Sequence, residues 1–354
     1  MKIVQIPAYM DSYQRSLVHA LRKRGHDVRY GQTKQFFSMI ELSLFFNVIR
    51  YYKVDVIHLH WQHAFLLGNN KVGTTIKSLL FIIQLLIIKA TGVRVVWTVH
   101  NLKNHENYHK ELEIYFTGKI AKYTDRIIVH CEASKQIIIK KFKIPDRKIS
   151  VIPIGNFIDI YKNTTARNEA RNQLKIKLND FLFLSLGLVR PYKGIVDLID
   201  NFNKLENAEA KLIIAGKVSG SQLKDVIMQK TKNIPAIRLV FEYIHDDEVQ
   251  FYMNAADIIV LPYREILNSG GVVAGMSFGK PIIAPSIGCI PEVLDSNGGF
   301  LYDPEQTNGL LNAMKQAIDS KNCLQQMGFY NHEIAKKWDW EDIAGATSEV
   351  YKNN

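Results

Sequence analysis

The sequence predicts an α/β protein made of two Rossmann-like βαβ domains that are joined near residue 165. Short apolar runs alternate with helical stretches along nearly the whole chain. The runs are continuously apolar, which is typical of parallel strands that helices cover on both faces. The alternation breaks in a polar stretch that begins at Tyr161 and then resumes. A chain of 354 residues is also long for one hydrophobic core, which favours two domains.

The first half contains five predicted strands, which begin at Lys2, Val56, Arg94, Arg126 and Lys148. Between the first two, apolar residues repeat at helical spacing until a glycine in "SYQRSLVHALRKRGH" stops the helix. We assign residues 1–163 to the first domain.

The second half repeats this rhythm, with predicted strands that begin at Phe181, Ala210, Ala236, Ala256 and Lys280. We assign residues 164–335 to the second domain. The remaining residues, 336–354, predict a last helix that crosses back to the first domain, held by the tryptophans of "WDWEDI".

The composition points to an anionic partner. The net charge is +11 and the isoelectric point is near 9.3, which suits nucleotide phosphates, anionic lipid or nucleic acid. RNA-binding signatures are absent, so nucleic acid is the weakest of these partners.

Three widely spaced cysteines show no metal-ligand spacing, and their odd number favours a reducing compartment. The first residues lack the apolar core of a signal peptide, so we expect a cytoplasmic protein.

The most apolar segment begins at Ser78. Lys77 and Lys89 bracket only about eleven residues there, whereas a bilayer span needs roughly 20. We therefore expect a buried or interfacial helix and not a transmembrane one.

The segment "GLVRPYKG" follows a predicted strand and carries a basic pair, Arg190 and Lys193. Ligands of open α/β sheets bind beyond the carboxyl ends of the strands. A guanidinium and an ammonium placed there can hold a diphosphate, the first as a fork and the second as a point charge. The alternative is that both are solvated loop residues.

A second turn, "REILNSGG", follows the strand that begins at Ala256. Asn268 or Ser269 can cap the helix that begins near Gly271. The first amides of a helix are unpaired and carry the positive end of its dipole, so they bind anions. Glycine in such a turn is common for structural reasons. Two anion-binding turns in one domain are stronger evidence than either alone.

In the first half, His100 ends a predicted strand, and Asn101 and His105 follow it in a loop. If the carboxyl edges of the two sheets face each other, these residues lie in the cleft between them. The alternative for His100 is a hydrogen-bonded core histidine.

The segment "HLHWQH" contains three histidines, and a zinc site has to be considered. Two of them, His58 and His60, lie on one face of a strand, but no carboxylate or cysteine follows at ligand spacing. We favour packing or cleft lining for these histidines.

The dinucleotide fingerprint G-x-G-x-x-G is missing after the first strand, which disfavours a nicotinamide or flavin oxidoreductase. A P-loop and a G-x-S-x-G elbow are missing as well.

Taken in order, several segments resemble the family-4 glycosyltransferases. They are "GHDV" (25–28), "DVIHLHW" (55–61), "VWTVHN" (96–101), "GLVRPYKG" (187–194), "FYMNAADIIVLPYR" (251–264), "SFGKPIIAP" (277–285) and "GCIPEV" (288–293). The resemblance implies the GT-B fold, in which two Rossmann-like domains face each other across a cleft. It also implies that the second domain holds a nucleotide sugar and the first holds the acceptor.

The resemblance assigns roles to individual residues. It implies that Arg190 and Lys193 contact the diphosphate and that the turn from Asn268 to Gly271, with Ser269 and Gly270, completes the phosphate site. Tyr243 and Ile244 fall where the family packs the nucleotide base. His100 falls at the acceptor side, where it bonds the transferred sugar or its acceptor.

The chain departs from the family in one motif. The family carries two glutamates eight positions apart, and here the second position is Ala274 while the first falls at Ile266, beside Glu265. Glu265 either replaces the sugar-contacting glutamate or pairs with Arg264. Glu292 is the candidate for the ribose contact that Ala274 cannot make. Because the retaining outcome is tied to the intact motif, this departure weakens the inference about stereochemistry.

The sequence thus predicts transfer of a hexose-type sugar from a UDP- or GDP-sugar to a glycan acceptor, lipid-linked, in cell-envelope polysaccharide synthesis. We expect neither a cofactor nor a metal. The basic, apolar first half favours peripheral contact with an anionic membrane over two ordinary core helices. Alternative functions are a nucleotide-sugar epimerase of the same fold and a catalytically degenerate member that only binds nucleotide sugar.

Overall fold

The structure, a computed structural model, describes residues 1–31, 35–36, 40–104 and 109–352. The chain divides into two compact units. The first comprises Met1–Ile154 and Asp339–Asn354, and the second comprises Gly155–Trp338.

The first unit alternates strands and helices from its first residues. Its elements are β1 (Lys2–Ile6), α1 (Ser12–Lys23), β2 (Asp27–Tyr30), β3 (Gln35–Phe36), β4 (Ile40–Glu41), α2 (Ser43–Arg50), β5 (Val56–Leu59), α3 (His63–Leu66), α4 (Lys71–Ala90), β6 (Arg94–Thr98), α5 (Lys110–Tyr123), β7 (Arg126–Val129), α6 (Glu132–Phe142) and β8 (Ile149–Val151).

Six of these strands form one parallel sheet in the order β2-β1-β5-β6-β7-β8, and β3 pairs with β4 in an antiparallel hairpin. The strands β1, β5, β6 and β7 are almost fully buried, which explains their continuously apolar sequences. The chain leaves β1 toward β2 and returns to β5 on the other side. The loops after β1 and β5 therefore flank the point where the strand order reverses, where open sheets bind ligands.

The second unit has a matching architecture. Its elements are α7 (Arg167–Gln173), β9 (Phe181–Leu186), α8 (Ile195–Phe202), β10 (Ala210–Ala215), α9 (Ser221–Thr231), β11 (Ile237–Val240), α10 (Val249–Ala255), β12 (Ile258–Val260), α11 (Gly270–Ser277), β13 (Ile282–Pro285), α12 (Ile290–Val293), β14 (Gly299–Tyr302), α13 (Gly309–Asp319) and α14 (Leu324–Lys336).

Its six strands form a parallel sheet in the order β11-β10-β9-β12-β13-β14. Successive residues of β9 pack into different hydrophobic cores, Leu182 and Leu184 on one face and Phe181 and Phe183 on the other. The strand order reverses between β9 and β12, so this sheet also has a switch point.

The last helix, α15 (Trp340–Lys352), packs against α1 of the first unit. The Arg24 guanidinium donates two hydrogen bonds to the Glu341 carbonyl, and Tyr351 lies in the same core as β1 and β5. The last helix thereby joins the first unit, although the second unit precedes it in the chain.

The boundary between the units lies earlier than the predicted one at residues 163 and 164. Residues 155–163 belong to the second unit because their backbone bonds to it: the Phe157 N–H donates to Ser277 Oγ over 2.9 Å. The polar stretch after Tyr161, where the sequence predicts the junction of the domains, also belongs to the second unit. The N–H groups of Thr164 and Thr165 there donate to Gln250 Oε1.

The apolar helix α4 is longer than predicted, with 20 residues and not about eleven. Lys77 does not limit it, because its ammonium is buried and donates to the carbonyls of Ala64 and Leu67, each over 3.0 Å. Among the described residues, α4 is the one helix long and apolar enough to cross a membrane, and half of it is buried within the structure. A second apolar segment of the first half, "MIELSLFFNVIRYY", begins at Met39, which lies outside the described residues, and continues into α2.

Candidate functional site

The loops after β9 and β12 meet at the switch point of the second unit. The Arg264 N–H donates to the Tyr192 carbonyl over 2.8 Å. Gly194 lies so close to the other loop that a Cβ built on it would be 1.9 Å from the Pro262 carbonyl oxygen. Its φ of +68° also favours glycine. The two predicted anion-binding turns are therefore in direct contact.

The first loop holds the predicted basic pair. The Lys193 Nζ lies against Gly187, 3.1 Å from where a Cβ on that glycine would be. Burial, and then the positive charge of Arg190, lowers the pKa of Lys193 to about 8. In the part of the chain that the structure describes, neither side chain forms an ion pair. Two neighbouring cations without a counterion are suited to bind a polyanion such as a diphosphate.

The second loop ends in the amino terminus of α11. Ser269 is the residue that caps this helix, since its Oγ accepts from the Val272 N–H over 3.1 Å and donates to the Tyr263 hydroxyl over 3.0 Å. A Cβ on Gly271 would lie 2.9 Å from that hydroxyl, so the tyrosine packs directly behind the turn. The first amides of this helix, including those of Gly270 and Gly271, are suited to bind an anion.

Arg264 pairs with Asp197, in the first turn of α8. Its Nε and Nη2 lie 2.5 Å and 2.6 Å from the two carboxylate oxygens. This fork joins the loop after β12 to the helix that follows the basic loop. Glu265, the next residue, is exposed in the same loop. The sequence offered Glu265 as a partner for Arg264 and did not indicate Asp197.

The position where the family has its second glutamate and the residue proposed to replace it lie on different helices. Ala274 lies in α11 and packs against the core, whereas Glu292 is exposed on the short helix α12. The turn before α12 contacts the site, because the Cys289 N–H donates to the Leu267 carbonyl over 2.9 Å. Asn268, the residue after Leu267, is half-buried. The structure thus brings the start of α12 next to the anion-binding turn.

Tyr243 and Ile244 follow the edge strand β11 and are separated from the switch point by β10. Tyr243 is exposed and contacts the edge of the His245 ring, and Ile244 is half-buried against the core. They lie at the same carboxyl edge of the sheet, apart from the two predicted anion-binding turns.

His100 lies two residues beyond β6 in the first unit and is held by aromatic rings. Its imidazole stacks on Trp61, with ring centroids 4.4 Å apart and planes inclined by 12°. It also makes a T-shaped contact with the Tyr13 ring, with centroids 5.0 Å apart. Its Nε2 lies 3.1 Å from His60 Nδ1. His100 is half-buried and not a fully enclosed core histidine. The Asn101 carbonyl accepts from Gln62 Nε2 over 2.9 Å, and His105 lies outside the described residues.

Three further histidines surround it at the ends of neighbouring strands. His58 Nδ1 lies 2.6 Å from the Tyr351 hydroxyl, and His58 Nε2 lies 2.7 Å from Thr98 Oγ1. His130 Nδ1 donates to the Ile152 carbonyl. Burial lowers the pKa of His58 to about 3 and that of His130 to about 4, and it holds the pKa values of His60 and His100 well below 6.5. The four imidazoles are therefore neutral at pH 7.

The zinc hypothesis gains no support, since the described residues contain no group of three or more histidine, cysteine or acidic side chains arranged to bind a metal. Sequence reasoning did not single out His130, Tyr13 or Trp61. One signal could have identified His130: the segments "VIHLH", "WTVH" and "RIIVH" all place a histidine at the carboxyl end of a predicted strand.

Comparison with known proteins agrees with this architecture. Residues 166–333 match the model of the glycosyl transferases group 1, and residues 33–159 match that of Glycosyltransferase Family 4. A GDP-mannose:glycolipid 4-beta-D-mannosyltransferase from Xanthomonas campestris pv. campestris is 27% identical over 289 residues, which are 80% of this chain and 75% of that protein.

Solved structures share the fold at low sequence identity. Sucrose-phosphate synthase from Thermosynechococcus elongatus has a TM-score of 0.80 and 16% identity, covering 99% of this chain and 98% of that one. Anabaena HepE in complex with UDP and glucose has a TM-score of 0.77 and 16% identity, covering 100% and 99%.

Two parallel α/β sheets, together with these matches, define a nucleotide-sugar-dependent glycosyltransferase of the GT-B fold. The chain belongs to the family-4 glycosyltransferases. The predicted fold class and family are confirmed.

Proposed function

We propose that the protein transfers a hexose-type sugar from UDP- or GDP-sugar to a lipid-linked glycan acceptor in cell-envelope polysaccharide synthesis. The observation that carries this proposal is the contact between the Arg190–Lys193 loop and the amino terminus of α11 at a switch point. The similar Xanthomonas enzyme is named for GDP-mannose and a glycolipid, and the similar Anabaena structure contains UDP and glucose. Both support a nucleoside-diphosphate sugar as the donor.

The proposed mechanism depends on fixed positive charge. When the anomeric carbon–oxygen bond breaks, negative charge develops on the leaving diphosphate. A bond forms from the anomeric carbon to the oxygen of an acceptor hydroxyl, whose proton passes to the leaving phosphate. Arg190, Lys193 and the amides of α11 stabilise that charge in the transition state. We propose that this charge makes the reaction independent of a metal. We also propose retention of configuration at the anomeric carbon, which the stereochemistry of the isolated product tests.

The remaining site residues take roles in binding. Glu265 contacts the transferred sugar, Glu292 binds the ribose in place of the side chain that Ala274 lacks, and the base packs on Tyr243 and Ile244 near the sheet edge. Asn268 and Ser269 hold the phosphate turn. On the acceptor side, His100 acts together with Asn101 and His105.

Nucleotide binding tests the donor site. UDP, GDP, ADP and dTDP are titrated without metal into the wild type, Arg190→Ala and a matched control, Lys204→Ala, which removes an exposed cation in the same unit. We expect one nucleotide to bind selectively, roughly tenfold or more weakly to Arg190→Ala, and unchanged to the control, because charge-assisted hydrogen bonds contribute about 1.5–3 kcal/mol. Equal binding by wild type and Arg190→Ala would show that the site is misassigned.

The altered glutamate motif favours one second candidate, a member that binds nucleotide sugar without transferring it. Nucleotide binding without transfer in any donor and acceptor combination would support it. Release of free nucleotide and an altered sugar in the absence of acceptor would identify an epimerase.

We further propose that the protein docks on the inner face of the cell membrane through α4. Along one face of this helix, residues between 40% and 68% exposed recur every three or four positions: Val72, Ile76, Leu79, Ile83, Leu86 and Ile87. The buried positions include the polar residues Thr74, Lys77, Ser78 and Gln84. An ordinary surface helix buries its apolar residues and exposes its polar ones, whereas α4 exposes apolar residues and buries several polar ones. The apolar face is about 22 Å long.

The neighbouring helices add the residue types found at membrane interfaces. α2 and α5 pack against α4, and the exposed aromatic side chains Tyr52 and Tyr115 lie next to cations, with Lys53 Nζ and Lys119 Nζ 5.4 Å and 5.1 Å from their rings. Tyrosine at the headgroup level and lysine near anionic lipid both favour this orientation.

Vesicle sedimentation tests the docking. We expect the wild type to pellet with vesicles that contain anionic phosphatidylglycerol, and Leu79→Glu/Ile83→Glu to remain in the supernatant with an unchanged melting temperature. The control Leu178→Glu changes an exposed apolar residue in the second unit and should pellet like the wild type. A Leu79→Glu/Ile83→Glu variant that pellets normally, or a wild type that dimerises and ignores vesicles, contradicts the proposal.

A further inference from the structure

His60 and His100 form a direct imidazole pair at the ends of the neighbouring strands β5 and β6. His60 Nδ1 and His100 Nε2 are 3.1 Å apart, which is hydrogen-bonding distance. Since neutral imidazole has one donor and one acceptor nitrogen, one ring donates and the other accepts. The direction of this bond determines which nitrogen of His100 carries its proton.

The surroundings of His60 indicate the direction. Its side chain is fully buried, and its Nε2 has no hydrogen-bond partner in the described structure. An unpaired buried N–H is rarer and costlier than an unpaired acceptor lone pair. The proton of His60 is therefore placed on Nδ1, and Nε2 keeps its lone pair. His60 then donates to His100 Nε2, and the proton of neutral His100 is on its Nδ1.

Other contacts hold the backbone of His60 and the ring of His100. Trp97 Nε1 donates to the His60 carbonyl over 3.2 Å, which holds the backbone at the strand end. Trp61 covers one face of the His100 ring, and Tyr13 packs its edge. These contacts set the ring plane of His100, and the bond from His60 sets its tautomer.

We propose that His60 is a positioning residue that keeps His100 in the Nδ1–H tautomer, so that His100 engages a sugar hydroxyl of the bound substrate as a neutral hydrogen-bond donor. This inference rests on the proposed role of His100 in glycosyl transfer. It separates the chemistry of the two units: fixed cations hold the diphosphate, and an uncharged donor of defined direction holds a hydroxyl oxygen.

The tautomer can be measured without substrate. The full chain is labelled with ¹⁵N-histidine, and long-range ¹H–¹⁵N spectra at pH 7.5 are assigned with His100→Gln and His60→Gln. We expect the wild type to show His100 protonated on Nδ1. His60→Phe keeps a ring of similar size without a donor and should shift His100 toward the Nε2–H form, whereas His60→Gln, which can still donate, should preserve the wild-type form. A wild-type His100 that is protonated on Nε2, or a tautomer that does not change in His60→Phe, overturns the inference.

Kinetics then test the positioning role. We expect His60→Phe to lower kcat/KM for transfer about three- to tenfold, which is the effect expected from losing one hydrogen bond. The Kd for the nucleotide should stay unchanged. His60→Gln should recover most of the activity, and His19→Gln, which changes an exposed histidine on α1, should have no effect. A tautomer shift without any loss of transfer would contradict the positioning role. If the wild type transfers nothing, the proposed function fails, and the spectra still decide whether His60 sets the tautomer.

Discussion

Lys193 shows at the level of one residue why the proposed donor site is suited to an anion. Its ammonium lies beside Arg190 and against Gly187, and both burial and the neighbouring charge disfavour its protonated form. A bound diphosphate would offset both costs. The free protein therefore holds a cation that binding of the donor stabilises.

This arrangement predicts how affinity depends on pH. The pKa of Lys193 in the free protein is about 8, so the side chain is mostly protonated at pH 7 and loses its proton as the pH rises through 8. Because the diphosphate binds the ammonium and not the amine, affinity should be nearly constant below pH 7.5. It should then fall by up to about tenfold per pH unit above 8.

Calorimetric titration of the preferred nucleotide between pH 7 and 9.5 measures this effect. Lys193→Arg serves as the control, since a guanidinium stays charged over the whole range and should remove most of the dependence. An affinity of the wild type that does not change between pH 7.5 and 9.5 would contradict the assignment of Lys193.

The sequence predicted charged residues at strand ends better than it predicted their partners. Arg190 and Lys193 follow from the rule that ligands bind beyond the carboxyl ends of parallel strands, and the structure places their loop at the switch point. The partner of Arg264 could not be predicted in the same way. Asp197 is 67 positions away in sequence and reaches it only because β9 and β12 are neighbours. The adjacent Glu265 was the nearer candidate along the chain.

At the level of elements, the proposed donor site depends on the close approach of two loops at Gly194. A Cβ there would collide with the Pro262 carbonyl, and the positive φ adds a second cost for any other residue. We expect Gly194→Ala to destabilise the protein by roughly 3 kcal/mol or more and to weaken nucleotide binding, because the basic loop would be pushed away from α11.

Gly25, which follows α1 in the first unit, provides a control. Its φ is +83°, its N–H and that of His26 donate to the carbonyls of Arg22 and Leu21 as at a left-handed helix end, and nothing lies within 4 Å of a Cβ built on it. Gly25→Ala should therefore cost only about 1–2 kcal/mol and leave nucleotide binding unchanged. Chemical denaturation of both variants measures the difference in the free energy of unfolding, and nucleotide titration measures the difference in affinity. Equal stability losses would mean that backbone conformation, and not the contact between the loops, makes Gly194 necessary.

Helix α4 shows where predicting an element from sequence reaches its limit. The periodicity identified an apolar helix, but a lysine in the middle indicated that its apolar part was short. Lys77 is accommodated because carbonyls of α3 and the residue after it accept its protons. That solution depends on a helix outside the segment, so no window of sequence around Lys77 could reveal it.

At the level of the whole molecule, the two units are not simply the two halves of the chain, because the last residues belong to the first unit. The sequence predicted two α/β domains and their family, and both predictions are confirmed. The polar stretch after Tyr161 looked like a linker, yet its backbone bonds to α10 of the second unit. Polarity alone did not distinguish a flexible linker from a surface segment held by a glutamine side chain.

The last prediction concerns α15, which completes the first unit from the far end of the chain. Its residues Ile343, Ala344, Val350 and Tyr351 lie in the core formed by α1 and β1. Removing Trp340–Asn354 would expose this core and leave buried His58 without its bond to the Tyr351 hydroxyl. Burial of one large apolar side chain contributes about 1.5–3 kcal/mol, so the loss is comparable with the 5–15 kcal/mol that stabilise a typical domain.

We therefore expect the truncated chain 1–339 to lose the fold of its first unit and to keep that of its second. Hydrogen exchange should show unprotected amides in β1, β5 and β6 and continued protection in β9, β10 and β12. Because Arg190, Lys193 and α11 all belong to the second unit, the truncated chain should still bind the nucleotide while transferring no sugar. Protected amides in β1 and β5 after truncation would show that the first unit folds without its last helix. Loss of protection in β9 as well would show that the second unit depends on the first for stability.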